Sequence, residues 1–418
     1  MELTVDTQRL VREMDTLAGF TEAEQTGRPG ERAVTRVVFT NDDLRARTWF
    51  KSLCMGAGLQ VREDAVGNTF ARWSGTEPDL PTVGTGSHTD AIPHAGMYDG
   101  TLGVLGALQA IRTLQRAGVQ PRRSIELVMF TSEEPTRFGI GCLGSRLMAG
   151  VLDPAKADAL QDSAGTSLAQ VRQAAGYRGD LASVRIPAES YSAWLELHIE
   201  QGPLLEHEGV DIGVVTHIAA PASSRFVLEG IGGHAGALLM PDRRDALCAS
   251  AELILAVEAA ALGSGSRDTV ATVGTVEVHP GAVNSVPSRV AVQLDVRDTD
   301  PERRDAAMAK IRATAGEIAT RRGVTLDETV VNADVPAACD ARIVAAVERA
   351  CLQAGLRQMR IVSRAYHDSL FMARLGPIGM IFVPCRRGVS HRPDEYCSPE
   401  AMRKGVQVLA ETLHHLSA

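Results

Sequence analysis

The sequence predicts an α/β protein: a mixed, mostly parallel sheet with helices on both faces, into which a smaller ferredoxin-like α+β domain is inserted. Three observations predict it. Short, almost continuous apolar runs such as "SIELVMFTS" (124–132) and "GPIGMIFVPC" (376–385) have the composition of strands covered on both faces. Segments with helical spacing alternate with them, as connections between parallel strands require. Between residues 214 and 333 the alternation gives way to the order β-α-β-β-α-β, the split unit of a small α+β domain.

The elements follow in order. "MELTVDTQRLVREMDTLAGF" reads as an amphipathic helix. "TVGTGS" ends a strand, and "GTLGVLGALQAIRTLQRAG" is a helix whose Leu105, Leu108, Ile111 and Leu114 recur at helical spacing before Gly118 stops it. "SAWLELHIEQG" is a further buried strand. In the inserted segment, "SSRFVLEGI" is a strand and "DRRDALCASAELILAVEAAAL" a helix capped by Asp242. "TVATVGTVEVH" and "SRVAVQLDVRD" are strands. Asp300, Pro301 and Gly323 bracket a long helix, and "VTLDETVV" closes the set. "ARIVAAVERACLQAG" resumes the larger domain. The expected division is therefore 1–213 with 334–418, and 214–333.

Composition bounds the function. A chain of 418 residues exceeds what one hydrophobic core serves, so two domains are expected. With 44% hydrophobic and 22% charged residues it has an ordinary globular balance, and a net charge of -8 argues against nucleic-acid or anionic-membrane partners. The 7 cysteines form no CxxC pair and suit reduced thiols. The first residues lack the apolar core of a signal peptide, and no apolar run has transmembrane length. A cytoplasmic protein is expected.

In a parallel sheet, ligands bind beyond the carboxyl ends of the strands. There the sequence places His88, Asp90 and Asp99 ("GSHTDAIPHAGMYDG", 86–100), Glu133 and Glu134, His198, and His391. Three imidazoles and two carboxylates can hold two divalent metals, and a shared water between two metals is acidified toward neutral pH. One further carboxylate is needed to carry the proton of that water to a leaving nitrogen. Asp90, two residues after His88, is placed to accept from the ring. Taken singly, each of these residues is also what an ordinary loop or core carries; their joint placement at several strand ends is the signal.

Together with "FTSEEPTRFGIGCLGSRLMAG", "LELHIEQGPLLE", "GGHAGALLMPDRRDA", "GAVNSVPS" and "SRAYHDSLFMARLGPIGMIFVPCRRGVSHRPDEY", this stretch resembles the M20 metallo-amidohydrolases. The resemblance runs from about residue 30 to the end and lies within the hydantoinase/carbamoylase branch, which holds N-carbamoyl-L-amino acid, allantoate and ureidoglycolate amidohydrolases. It implies that His88, Asp99, Glu134, His198 and His391 bind two Mn²⁺ or Zn²⁺ ions, with Asp99 bridging. Glu133 would be the general base and Asp90 the acid that orients His88. The inserted domain would serve as lid and dimerisation domain, with His234 holding the substrate carbonyl. Asn284 and Arg297 would bind the substrate carboxylate, and Gln201 would be a further polar contact.

The branch member most resembled is the ureidoglycolate type. Carbamoylases and allantoate enzymes usually place small residues before the His-Asp pair, whereas here the sequence reads Tyr366-His367-Asp368, and a tyrosine would narrow the pocket toward a small hydroxylated substrate. The expectation is a homodimeric amidohydrolase of (S)-ureidoglycolate. Carbamoyl amino acids, allantoate and N-acyl amino acids are the competing substrates, a dipeptidase a third reading, and a non-catalytic binding protein the competing class. His94 and His217 have no assigned role.

Overall fold

The computed structural model describes residues 3–418, which form two compact units. The larger holds residues up to 216, 338–363 and 367–418; the smaller holds 217–337 and 364–366.

The larger unit is built on a nine-stranded mixed sheet. Its centre is four parallel strands in the order Ile125–Phe130, Thr82–His88, Tyr191–Ile199 and Ile378–Val383. The flanks are antiparallel: Thr69–Trp73 and Gln60–Glu63 on one side, Ile212–Ile218 on the other. The parallel character is thus confined to the centre, whose strands are buried along nearly their whole length, as their apolar runs require. On one face, Val83, Leu127, Leu195 and Leu197 join a core with Leu105, Leu108 and Ile111 of the helix Thr101–Arg116 and Val406 and Leu409 of the helix Pro399–Ser417. Trp194, on the other face by strand alternation, packs 5.4 Å from Phe130 and donates its indole N–H to Ser369 Oγ at 2.9 Å. Because the four central strands run the same way, their carboxyl ends share one edge.

The smaller unit has a four-stranded antiparallel sheet whose spatial order is Val270–His279, Arg289–Asp298, Ala220–Glu229, Thr325–Ala333. With the helices Ala246–Leu262 and Pro301–Arg322 packed on one face, this is the ferredoxin-like arrangement. The second helix is bracketed as expected: Asp300 accepts from the amides of Glu302 and Arg303, and Gly323 takes the left-handed exit at φ 65°. The first is not capped by Asp242. Arg244 bridges to Ile231 in extended pairing, so the helix starts only at Ala246, and Asp245 accepts from the amides of Leu247 and Cys248. Asp242 instead ends a short 3₁₀ turn.

Candidate metal centre and active site

His88 closes the strand Thr82–His88 and His198 lies next to last in Tyr191–Ile199. Both rings are buried and both are fixed by backbone carbonyls: His88 Nδ1 lies 3.0 Å from Asp90 O and His198 Nδ1 lies 2.9 Å from Ile199 O. A carbonyl only accepts, so each Nδ1 carries a proton and each ring turns its Nε2 inward, the atom that binds either a metal ion or a second proton. Both Nε2 atoms face Asp99 Oδ1, at 3.6 Å from His88 and 3.2 Å from His198. His198 Nε2 also accepts from the Gly100 amide at 3.1 Å. Two imidazole nitrogens opposed to one carboxylate oxygen call for positive charge between them, a metal ion or, without one, protons on the rings.

The other oxygen of Asp99 faces a second group. His391 Nε2 lies 3.2 Å from Asp99 Oδ2 and 3.4 Å from Glu134 Oε1. The donor atoms of His88, Asp99 and His198, and those of Asp99, Glu134 and His391, come within 4.8 Å of one another in each set. Asp99 belongs to both sets, one oxygen to each. In a third grouping, Glu196, His198 and His367, two members have serine partners: Ser87 Oγ and Ser369 Oγ donate to Glu196, and His367 Nε2 lies 3.0 Å from Ser363 Oγ.

Hydrogen bonds aim the Asp99 carboxylate. Gln201 Nε2 donates to Oδ2 at 2.6 Å, and Ser390 Oγ lies 2.7 Å from the same oxygen. Ser390 Oγ is also 2.8 Å from Glu395 Oε2, and Glu395 Oε1 accepts the amides of Tyr98 and Asp99 at 2.8 and 3.1 Å. Neither Ser390 nor Glu395 was anticipated. Their only sequence signal is proximity to His391 in "SHRPDEY"; it takes the folded chain to bring them beside Asp99. Gln201, expected to contact substrate, here supports the Asp99 carboxylate.

Asp90 acts differently from its expected role. The ring of His88 is held by Asp90's carbonyl, while the Asp90 carboxylate, with Oδ1 3.7 Å from His88 Nδ1, accepts the amides of Glu133 (3.2 Å) and Glu134 (3.0 Å). A side chain two residues along a turn reaches the neighbouring loop more readily than its own strand's ring. Asp90 therefore ties the first strand end to the second. Glu133 presents Oε2 at 3.7 Å from His88 Nε2.

The electrostatics match a cation site. Burial raises the Glu134 carboxyl to about 7, helped by the charge of Asp99, and burial with the same neighbour raises Glu395 to about 7. Burial also drives Glu133 well above the usual carboxylate range against the opposing charge of His88, with the negative charges of Glu134, Asp368 and Asp90 adding to the rise. Burial disfavours a charged His88, but Glu133, Asp99 and Asp90 more than offset it, so its affinity for a proton rises. His391 is raised to about 9, first by its bond to Asp99. So many buried carboxylates facing imidazole nitrogens suit divalent cations with oxygen and nitrogen ligands.

The profile of peptidase family M20/M25/M40 matches residues 84–415, a span containing every residue of this site. The chain belongs to that family. Among M20 relatives, it is 52% identical to "Ureidoglycolate hydrolase" of Arabidopsis thaliana, over 99% of this chain and 87% of the relative, and 52% identical to the protein of that name from Oryza sativa subsp. japonica, over 99% and 85%. It is 40% identical to "N-carbamoyl-L-amino acid amidohydrolase" of Geobacillus stearothermophilus, over 95% and 96%. The crystal structure of AtUAH in complex with (S)-hydroxyglycine superposes with a TM-score of 0.90 at 52% identity, covering 99% of this chain and 98% of the other. This M20 chain is a hydrolase of C–N bonds in linear amide or ureido groups.

The remaining expected residues lie in the smaller unit, His367 excepted. His234 pairs with Ser285 across a short bridge, and the Ala235 amide donates to Asn284 O at 2.9 Å, so His234 and Asn284 are neighbours. His234 is exposed, and its Nδ1 accepts from the Gly236 amide at 3.1 Å. A neutral ring bonded this way keeps its proton on Nε2. Arg297 donates through Nε to Asp295 Oδ1 at 2.8 Å and lies over the Tyr366 ring at 5.5 Å. His367 is buried in the larger unit, and His94 and His217 are exposed.

Proposed function

We propose that this chain hydrolyses the ureido C–N bond of (S)-ureidoglycolate. Water adds to the ureido carbonyl and the bond to the terminal nitrogen breaks, releasing ammonia. The carbamate left behind loses carbon dioxide, and the resulting hydroxyglycine breaks down to glyoxylate and a second ammonia. The observation that carries the amidohydrolase reading is the convergence of the His88 and His198 Nε2 atoms on one oxygen of Asp99 and of His391 Nε2 on the other, beside a separate, desolvated Glu133. The substrate assignment is supported by 52% identity over nearly the whole chain to enzymes named for that substrate.

His88, His198 and Asp99 would hold one divalent ion, and Asp99, Glu134 and His391 a second, Mn²⁺ or Zn²⁺ by the chemistry of the donors. Two such ions, when bound, supply a Lewis acid for the carbonyl and a more acidic water. Glu133 takes the proton of the attacking water and delivers it to the departing nitrogen; its desolvation gives it the basicity for the first step. Asp90 holds the backbone of Glu133 and Glu134 in place. His234, preset as an Nε2–H donor, is assigned the carbonyl oxygen, and Arg297 with Asn284 the carboxylate, for which a planar guanidinium is suited. Tyr366 and His367 are assigned pocket roles.

The smaller unit is also assigned self-association into a homodimer. Leu255 and Leu262 on its helix are 64% and 81% exposed, and Val330 and Val331 on its outer strand 55% and 60%. Among the described residues, the strands Val270–His279 and Thr325–Ala333 are the edges of its sheet, a ready surface for pairing.

An ammonia-release panel tests the substrate. With Mn²⁺ or Zn²⁺ supplied, (S)-ureidoglycolate is turned over with a higher kcat/KM than allantoate, N-carbamoyl amino acids or N-acyl amino acids. Preference for any of the others overturns the assignment while leaving the amidohydrolase chemistry in place.

A further inference from the structure

The Glu133 carboxylate rests on one side chain that no part of the mechanism above uses. Cys142 is fully buried, and its Sγ lies 3.4 Å from Glu133 Oε1. Among the described residues, this thiol is the hydrogen-bond donor that reaches the Glu133 side chain. The contact is built by the backbone on both sides. The amide of Cys142 donates to Glu133 O at 2.7 Å, that of Leu143 to Ser132 O at 2.9 Å, and that of Gly144 to Thr131 O at 2.9 Å. Three consecutive amides thus pair with three consecutive carbonyls. Ser132 and Cys142 both adopt left-handed backbone, at φ 56° and 54°, which side-chain-bearing residues take up only where the surroundings enforce it. A β-carbon on Gly144 would come 2.1 Å from Asn68 Oδ1, the atom that accepts the Thr131 amide, so the pairing is locked from behind.

We propose that Cys142 is a positioning residue for the reaction, its thiol holding Oε1 of Glu133 so that Oε2 is the oxygen turned toward His88 and the reacting water. This rests on Glu133 being the general base. The donor's chemistry fits the task. A thiol is a weak hydrogen-bond donor, so it fixes the carboxylate's rotation while withdrawing little negative charge from it. A strong donor in the same place would orient Glu133 at the expense of its basicity.

The test compares metal-loaded wild type, Cys142→Ala, Cys142→Ser and Glu133→Gln. It reads kcat and KM for (S)-ureidoglycolate, bound metal per chain, and the infrared S–H stretch, which lies clear of other protein bands. Cys142→Ala is expected to lower kcat about tenfold, the scale of one ordinary hydrogen bond, with KM and metal content unchanged. Cys142→Ser, which keeps a donor, recovers part of that loss and, as the stronger donor, shifts the rising limb of the kcat pH profile to lower pH. In Glu133→Gln, where a neutral amide oxygen replaces the carboxylate, the S–H band moves to higher frequency. Wild-type kcat in Cys142→Ala overturns the inference, as does a loss shared equally by Cys142→Ser or accompanied by lost metal. An S–H band indifferent to Glu133→Gln overturns the contact itself. Near-normal turnover by Glu133→Gln overturns instead the assignment of the base, a result separate from the other three.

Discussion

At the scale of single residues, the site raises the proton affinity of Glu134 by burial and that of His391 by its bond to Asp99. Glu134, raised from 4.5 to about 7, keeps a proton in the folded state where the unfolded chain has lost it. His391, raised from 6.5 to about 9, does the same at higher pH. A group with a raised folded pKa contributes stability that is complete below its unfolded pKa and lost as pH rises through the folded one. Both groups therefore predict that protein stripped by a chelator melts at lower temperature as pH rises from about 5 to about 9. Asp99, held well below the carboxylate range because three histidines outweigh its burial, has the opposite sign, but its effect falls at more acid pH. A divalent cation takes the place of those protons, so the stabilisation by added Mn²⁺ or Zn²⁺ grows over the same interval. Differential scanning fluorimetry with and without metal reads both trends. A melting temperature that is flat or rising in the chelated protein would contradict the electrostatic account.

At the scale of elements, the turns between strand ends and helices decide the geometry. Gly100 precedes the helix Thr101–Arg116 at φ 64°, and a β-carbon there would lie 2.3 Å from His88 Nε2. Gly118, at the other end of the helix, has φ 74° and nothing within 4 Å of its would-be β-carbon. Both substitutions to alanine incur the left-handed penalty of about 1–2 kcal/mol. Gly100→Ala alone should displace His88, and with it lose metal and turnover. Metal analysis of the two variants separates the effects, and full metal content in Gly100→Ala would show that the ring can move aside without consequence. Asp90 illustrates the same scale differently. The sequence placed it near His88 and named it the ring's acceptor. The fold uses its carbonyl for that purpose and turns the carboxylate onto the loop of Glu133 and Glu134.

At the scale of the whole molecule, the inserted unit completes its own core without help from the sheet of the larger unit: Phe226, Leu253, Val292 and Ile311 are buried within it. Its outward apolar side chains are left over from that core, and they underlie the proposed homodimer. Sedimentation equilibrium should return twice the monomer mass for the wild type, and a shift toward monomer when Leu255→Glu and Leu262→Glu are combined. A wild type that sediments as a monomer at micromolar concentration removes the assembly.

The sequence by itself determined the α/β class, the inserted βαββαβ order, and the candidate ligand residues at the ends of the central strands. Apolar runs, cap residues and chain order are local signals, and a parallel sheet brings its strand ends to one edge whatever the details. Tertiary structure alone decided which atom of each residue does what. It assigned the two oxygens of Asp99 to two sets of donors, moved the helix cap from Asp242 to Asp245, and brought Ser390, Glu395 and Cys142 against the site. Those pairings join residues up to 297 positions apart, and the orientation of a side chain depends on neighbours that only the folded chain supplies.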